Sequence, residues 1–271
     1  MIEVSNLSFS YTRETLFSQL DLSLRPGNIC GLLGKNGAGK TTLLKLLAGL
    51  LFPQKGKARI MGMRPNDRSP AFLQELSFLP EEFSLPSVSP KRYEQLYAPF
   101  YPRFRSALFS NYLSEFEIEP NQNLDRCSFG QKKKFLLAFG LSTDSRLTLL
   151  DEPTNGLDIP SKRQFRKALA SVLTEDRLIV ISTHQARDLE NLIDPVVILD
   201  EGRIIFNHSL EEISNRLCVR RQTHPPVAVD VLYSEKTMEG YVVVAENKEN
   251  EETNLDLELL FNTVIQSQDR L

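Results

Sequence analysis

The octapeptide Gly34-Lys35-Asn36-Gly37-Ala38-Gly39-Lys40-Thr41 organises the reading of this chain. It satisfies the pattern G-x-x-x-x-G-K-[ST], whose meaning depends on a strand before it and a helix after it. Both are present. A compact apolar run, Ile29 to Leu33, leads in, and a helical pattern with Leu43, Leu44, Leu46, Leu47 and Leu50 follows from Gly39 to about Leu51. Glycines at this spacing let successive backbone N–H groups turn toward one anion, and the N-terminus of the following helix adds partial positive charge. A triphosphate fits such a nest. Lys40 is placed to reach its β- and γ-phosphates, the hydroxyl of Thr41 to take one position on Mg2+, and Thr42 extends the contact set into the helix.

Working outward, residues 1–28 alternate apolar and polar positions in short bursts (Ile2/Val4, Leu7/Phe9/Tyr11, Leu20/Leu22/Leu24), which predicts half-buried antiparallel strands. Further strands are expected at 57–62, 77–80, 146–151, 177–182, 196–200 and 203–207, with helices around 106–118, 130–142, 160–174 and 185–192. Strands alternating with helices imply an α/β fold with a mainly parallel sheet. A proline-punctuated, aromatic-rich stretch reads as an inserted helical subdomain at about 83–143, its rings serving either as its own core or as a partner surface. Composition shifts again after residue 217. Alternating runs at 227–233 and 241–244 and a helical pattern at 255–266 predict a small appendage, a hairpin plus a helix, over 218–271.

With 271 residues, 32 basic against 35 acidic side chains and a formal charge of −3, the chain has the composition of a folded globular protein. Nothing global steers it toward nucleic acid. Lys132, Lys133 and Lys134 read as a solvated helix face. Three cysteines without CxxC spacing are neither a disulfide framework nor a zinc site, so a reducing cytoplasm is expected. Neither a secretory signal nor an apolar run of membrane-spanning length is visible, which leaves only a peripheral membrane role.

The second chemical signal is Leu147-Thr148-Leu149-Leu150-Asp151-Glu152, an apolar strand ending in two carboxylates. Asp151 at the strand end is placed to hold Mg2+, and Glu152 to accept the proton of an attacking water. A guanine-specific NKxD is absent, because Asn247-Lys248-Glu249-Asn250 ends in the wrong residue.

Between these two motifs lies Cys127-Ser128-Phe129-Gly130-Gln131. Here the chain resembles the nucleotide-binding subunits of ABC transporters, whose LSGGQ signature stands in this place. The resemblance runs over about residues 1–215 and includes Asn155-Gly156-Leu157-Asp158, which matches the D-loop, and His184, which matches the switch histidine. It implies ATP and Mg2+ as ligands, Tyr11 as the ring stacked on adenine, Ser128, Gly130 and Asp158 as nucleotide contacts across an interface, and His184 as a sensor of the γ-phosphate. Lys40, Glu152 and His184 become the expected catalytic set. Two departures stand out: Cys127 and Phe129 replace the leucine and first glycine of the signature, and Glu81 stands where the family has a glutamine, placed to accept from a metal-bound water. The resemblance further implies a head-to-tail homodimer with ATP between Lys40 of one copy and Ser128 of the other. Such a dimer would drive separate integral membrane permease subunits, for export, from the inner face of the cell membrane. The alternative is a soluble ABC-type ATPase acting on another macromolecular machine.

Overall fold

The central strands are apolar almost throughout because their successive residues point alternately into two cores, one on either face of the sheet. The computed structural model of the chain describes residues 1–12, 14–189, 192–226, 231–249, 251, 253 and 256–267. The N-terminal part runs β1 (Ile2–Tyr11), β2 (Glu14–Leu24), β3 (Asn28–Leu33), α1 (Lys40–Leu47), β4 (Lys55–Ile60), α2 (Pro70–Leu73) and β5 (Leu76–Leu79). The helical insertion holds α3 (Pro90–Tyr97), α4 (Ser106–Glu115) and α5 (Phe129–Ser142). There follow β6 (Leu147–Asp151), α6 (Ile159–Val172), β7 (Leu178–Thr183), β8 (Val196–Asp200), β9 (Arg203–His208) and α7 (Leu210–Arg216). Last come β10 (Leu217–Gln222), β11 (Val231–Thr237), β12 (Gly240–Glu246) and α8 (Leu257–Gln266).

The main sheet has the order β5-β6-β7-β3-β8-β9, with every neighbouring pair parallel except β8 and β9. In β7, Leu178 and Val180 join a core built with Leu43, Leu44, Leu46 and Leu47 of α1 and the inner residues of the antiparallel sheet β2-β1-β4. Ile179 and Ile181 of the same strand point into the opposite core, with Phe135 of α5 and Phe165 of α6. Strands β6, β7 and β3 are neighbours, so the loops leaving their C-terminal ends carry Glu152, His184 and residues 34–39 to one end of the sheet. Parallel sheets bind ligands at that end.

The insertion buries some of its aromatic residues and leaves others at the surface. Phe109, Tyr112 and Phe116 are buried, and Tyr93 meets Phe135 edge to face with centroids 5.0 Å apart. Tyr97 and Phe100 stay exposed.

One expectation needs correction and another gains a strand. The helix expected at 185–192 is one short 3-10 turn, Ala186–Leu189, with residues 190 and 191 outside the described residues. Register explains this: Val196 pairs with Gly31, which pairs with Ile181, so the chain returns only two strand positions, about 7 Å, below Thr183. At the C-terminus the expected hairpin is present as β11 and β12, and a strand not expected, β10, pairs with β12 to make a three-stranded sheet in the order β10-β12-β11. Strand β10 begins at Leu217, where the sequence reading ended the ATPase domain, and residues 227–230 of the predicted strand lie outside the described residues. Tyr233, Val244, Leu257, Leu260 and Val264 of this appendage belong to the same buried cluster as α5 and α6.

Candidate functional site

The loop between β3 and α1 takes its shape from positions where a side chain does not fit. A Cβ on Gly39, whose φ is +107°, would stand 2.8 Å from the Phe17 ring, and one on Gly34 would stand 2.4 Å from the Leu199 carbonyl. Gly39 caps α1 without any side-chain acceptor, so the first amides of the helix are left to a ligand. Lys40 is 6% exposed, and its Nζ donates to the carbonyls of Gly34 at 2.7 Å and Lys35 at 3.2 Å.

Across the cleft, Glu152 directs Oε1 at two groups, Lys40 Nζ at 3.6 Å and His184 Nδ1 at 2.9 Å. A carboxylate oxygen only accepts, so His184 Nδ1 donates to Glu152, and Gln185 Nε2 stands 3.3 Å from His184 Nε2 on the other side of the ring. One residue back, Asp151 is fully buried and accepts from Ser182 Oγ at 2.5 Å through Oδ1. Asp151 Oδ2 and Glu152 Oε2 are buried without a hydrogen-bond partner.

Tyr11, Asn36, Gly37, Gly39, Lys40, Thr41, Thr42, Glu81, Glu152 and His184 all line one cleft of about 660 Å³. Tyr11 is 47% exposed, which excludes a core role for its ring, and its hydroxyl lies 3.2 Å from Thr42 Oγ1. Glu81 accepts from Asn155 Nδ2 at 3.0 Å. Gly34, Lys35 and Ala38 belong to the same loop but do not line the cleft, Gly34 and Ala38 being buried and Lys35 exposed. The structure does not bring Ser128, Gly130 or Asp158 into this cleft. Ser128 caps α5 in a capping box with Gln131, and Asp158 caps α6 by accepting from Ser161 N at 2.9 Å.

The reading of Lys132 to Lys134 as a solvated face is overturned at its middle residue. Lys133 is 1% exposed, and its Nζ donates to the carbonyls of Glu152 at 2.5 Å and Asn155 at 2.9 Å. A signal was present, since Lys133 is in helical register with the buried Leu137 and Leu141 four and eight residues on. Glu14 and Leu16 also line the cleft and belong to no motif with a chemical role, and Asn155, which lines it too, enters the sequence reading only through the D-loop match, with no role of its own.

Burial lowers the pKa of both Lys40 and Lys133 below the ordinary lysine value, and the same three carboxylates, Glu81, Asp151 and Glu152, oppose that shift at each. Three carboxylates against two ammoniums leave one negative charge in excess. A bare triphosphate would add to that excess, and a divalent cation arriving with it would offset part of the combined charge. Among the described residues no group of three or more His, Cys, Asp or Glu side chains gathers to hold a metal. The unpartnered Asp151 oxygen and the Thr41 hydroxyl instead suit Mg2+, which prefers one or two protein oxygens together with substrate phosphates.

Residues 17–155 match the family described as ABC transporter. The chain belongs to the ABC transporter family. Its ABC relatives include the SkfA peptide export ATP-binding protein SkfE of Bacillus subtilis, 32% identical over 214 residues that cover 76% of this chain and 87% of that protein. The Nod factor export ATP-binding protein I of Rhizobium etli is 30% identical over 210 residues, covering 75% of this chain. The chain spans 66% of that relative, just under two thirds of its length. A solved structure described as the ATP binding subunit of an ABC transporter superposes with a TM-score of 0.72 at 26% identity, over 79% of this chain and 91% of that one. Fold and motifs together make this an ABC-type ATPase domain.

Proposed function

We propose that this chain binds and hydrolyses ATP as the nucleotide-binding subunit of an exporter, working as a head-to-tail homodimer against separate membrane subunits. One observation carries the hydrolytic part: Glu152, at the end of β6, directs a single carboxylate oxygen at both Lys40 and His184 inside the cleft. In this reading the 34–42 loop and Lys40 hold the phosphates, Tyr11 stacks on the base, and Glu152 takes a proton from water as its oxygen attacks the γ-phosphorus. The bond from that phosphorus to the β-phosphate bridging oxygen breaks, giving ADP and phosphate. His184, donating from Nδ1, keeps Glu152 oriented. When bound, Mg2+ would lie on Asp151 and Thr41 with Glu81 beside it, offsetting charge on the phosphates.

The dimer is supported by the separation of Ser128, Gly130 and Asp158 from the cleft within one chain, since a second copy is needed to bring them to a nucleotide. Export is supported by relatives that are named as export ATP-binding proteins. No helix among the described residues is long and apolar enough to cross a membrane, and the reading places this chain beside separate membrane subunits at the inner membrane face.

Glu152→Gln tests the reading. It keeps the shape and removes the base, so phosphate release should fall roughly 10²–10⁴-fold while ATP still binds. Turnover at the wild-type rate would overturn the assignment.

A further inference from the structure

A lysine buried inside an ATPase domain needs a reason, because taking an ammonium out of water is costly unless it is bonded. Lys133 is a buried cation beside the cleft that the hydrolytic scheme does not use. It sits in the first half of α5, and its two acceptors are the ends of a single turn. Glu152 O also accepts from Asn155 N at 3.3 Å, closing residues 152–155, and Lys133 Nζ bonds the carbonyls of both end residues. The turn has to be held. Glu152 has φ +44°, in the left-handed region that side chains other than glycine rarely occupy, and that conformation aims its carboxylate at His184 and Lys40 while its carbonyl faces Lys133. The Phe129 ring, whose centroid is 5.6 Å from Lys133 Nζ, flanks the ammonium, and Asn155 passes the constraint on by donating to Glu81.

We propose that Lys133 is a positioning residue for hydrolysis: from α5 its ammonium clamps the 152–155 turn and thereby fixes the direction of the Glu152 carboxylate. The inference rests on the reading of Glu152 as the base. It assigns the lysine no contact with nucleotide, so removing it should change turnover and leave affinity alone.

The test uses the full chain. Lys133→Met keeps the volume and removes the donors, and should lower kcat roughly 10–100-fold, the usual worth of a group that orients a reacting side chain. The Kd for magnesium-ATP by isothermal titration should stay within about threefold, as expected of a residue outside the binding set. Combined with Glu152→Gln, Lys133→Met should slow residual hydrolysis no further, because the lysine acts through that glutamate. Lys133→Gln, polar but about 1 Å short in reach, should lose at least tenfold, and it carries the same comparison if the methionine variant does not fold. A wild-type kcat in either variant, a loss of affinity that parallels the loss of rate, or a further multiplicative loss in the double variant overturns the proposal. Should Glu152→Gln alone keep wild-type turnover, the reading of the base fails first; a slow Glu152→Gln beside a fast Lys133→Met and Lys133→Gln removes only the clamp.

Discussion

Lys40 and Lys133 are both buried ammoniums bonded to backbone carbonyls, and their surroundings separate their roles. Lys40 lines the open cleft; Lys133 lies behind the turn that forms part of its wall. Lys40→Ala should therefore abolish measurable affinity for magnesium-ATP in isothermal titration while leaving the circular dichroism spectrum unchanged, since the lysine serves the ligand. Undiminished binding would end the assignment of the 34–42 loop. The contrast also shows what a sequence exposes at this scale. Lys40 is readable because its partners are its own neighbours, Gly34 to Thr41, in an order that has a physical meaning. Lys133 acquires its role from Glu152 and Asn155, distant in the chain, and no local pattern announces them.

Elements were legible where a period or a cap is strong. Strands β3, β6, β7 and β8 are continuous apolar runs, because both of their faces are covered. Strand β10 escaped notice because Leu217-Cys218-Val219-Arg220-Arg221-Gln222 has no alternation, its pairing with β12 being supplied by the fold. Helix α7 was missed although Ser209 and Glu212 form a capping box that the sequence displays, and α3 although Ser89 and Pro90 are a cap followed by the residue preferred at a first helical position. Helix α3 also gives the insertion a pH limit. Burial, then Tyr97 and Tyr101, push the Tyr93 hydroxyl from 10.0 to about 12. A folded-state value above the unfolded one means stability that is intact below pH 10 and lost as pH rises from there through about 12. Urea midpoints measured from pH 9 to 12 should fall, and Tyr93→Phe, which keeps the ring, should make the fall shallower. Tyr101 and Tyr112, also raised by burial, leave a residual slope. Phe135, fully buried on α5 against Tyr93 and Phe109, should cost about 3–5 kcal/mol of unfolding free energy when changed to alanine, read from the same urea curves.

For the whole molecule, the proposed dimer predicts complementation between two dead chains. Glu152→Gln and Ser128→Arg should each be nearly inactive alone. Mixed in equal amounts before ATP is added, half of the dimers pair one of each, and one of the two sites then joins an intact Glu152 to an intact Ser128. Phosphate release should exceed the sum of the separate activities, up to about a quarter of wild type in a two-fold assembly of independent sites. No recovery, with mixed dimers present by native mass spectrometry, would remove the shared site.

The shared core of the appendage bears on how this protein can be handled. Tyr233, Val244, Leu257, Leu260 and Val264 bury their side chains in the cluster that also holds α5 and α6, and Arg187, three residues after His184, pairs with Glu258 of α8. Five such side chains, each worth about 1.5–3 kcal/mol, represent on the order of 10 kcal/mol, comparable to the net stability of a whole domain. A gene shortened to end at residue 217 would not yield a trimmed, well-behaved ATPase. It would expose the apolar flank of a working enzyme to other copies of itself, and expression should deliver inclusion bodies where the longer chain stays in the supernatant.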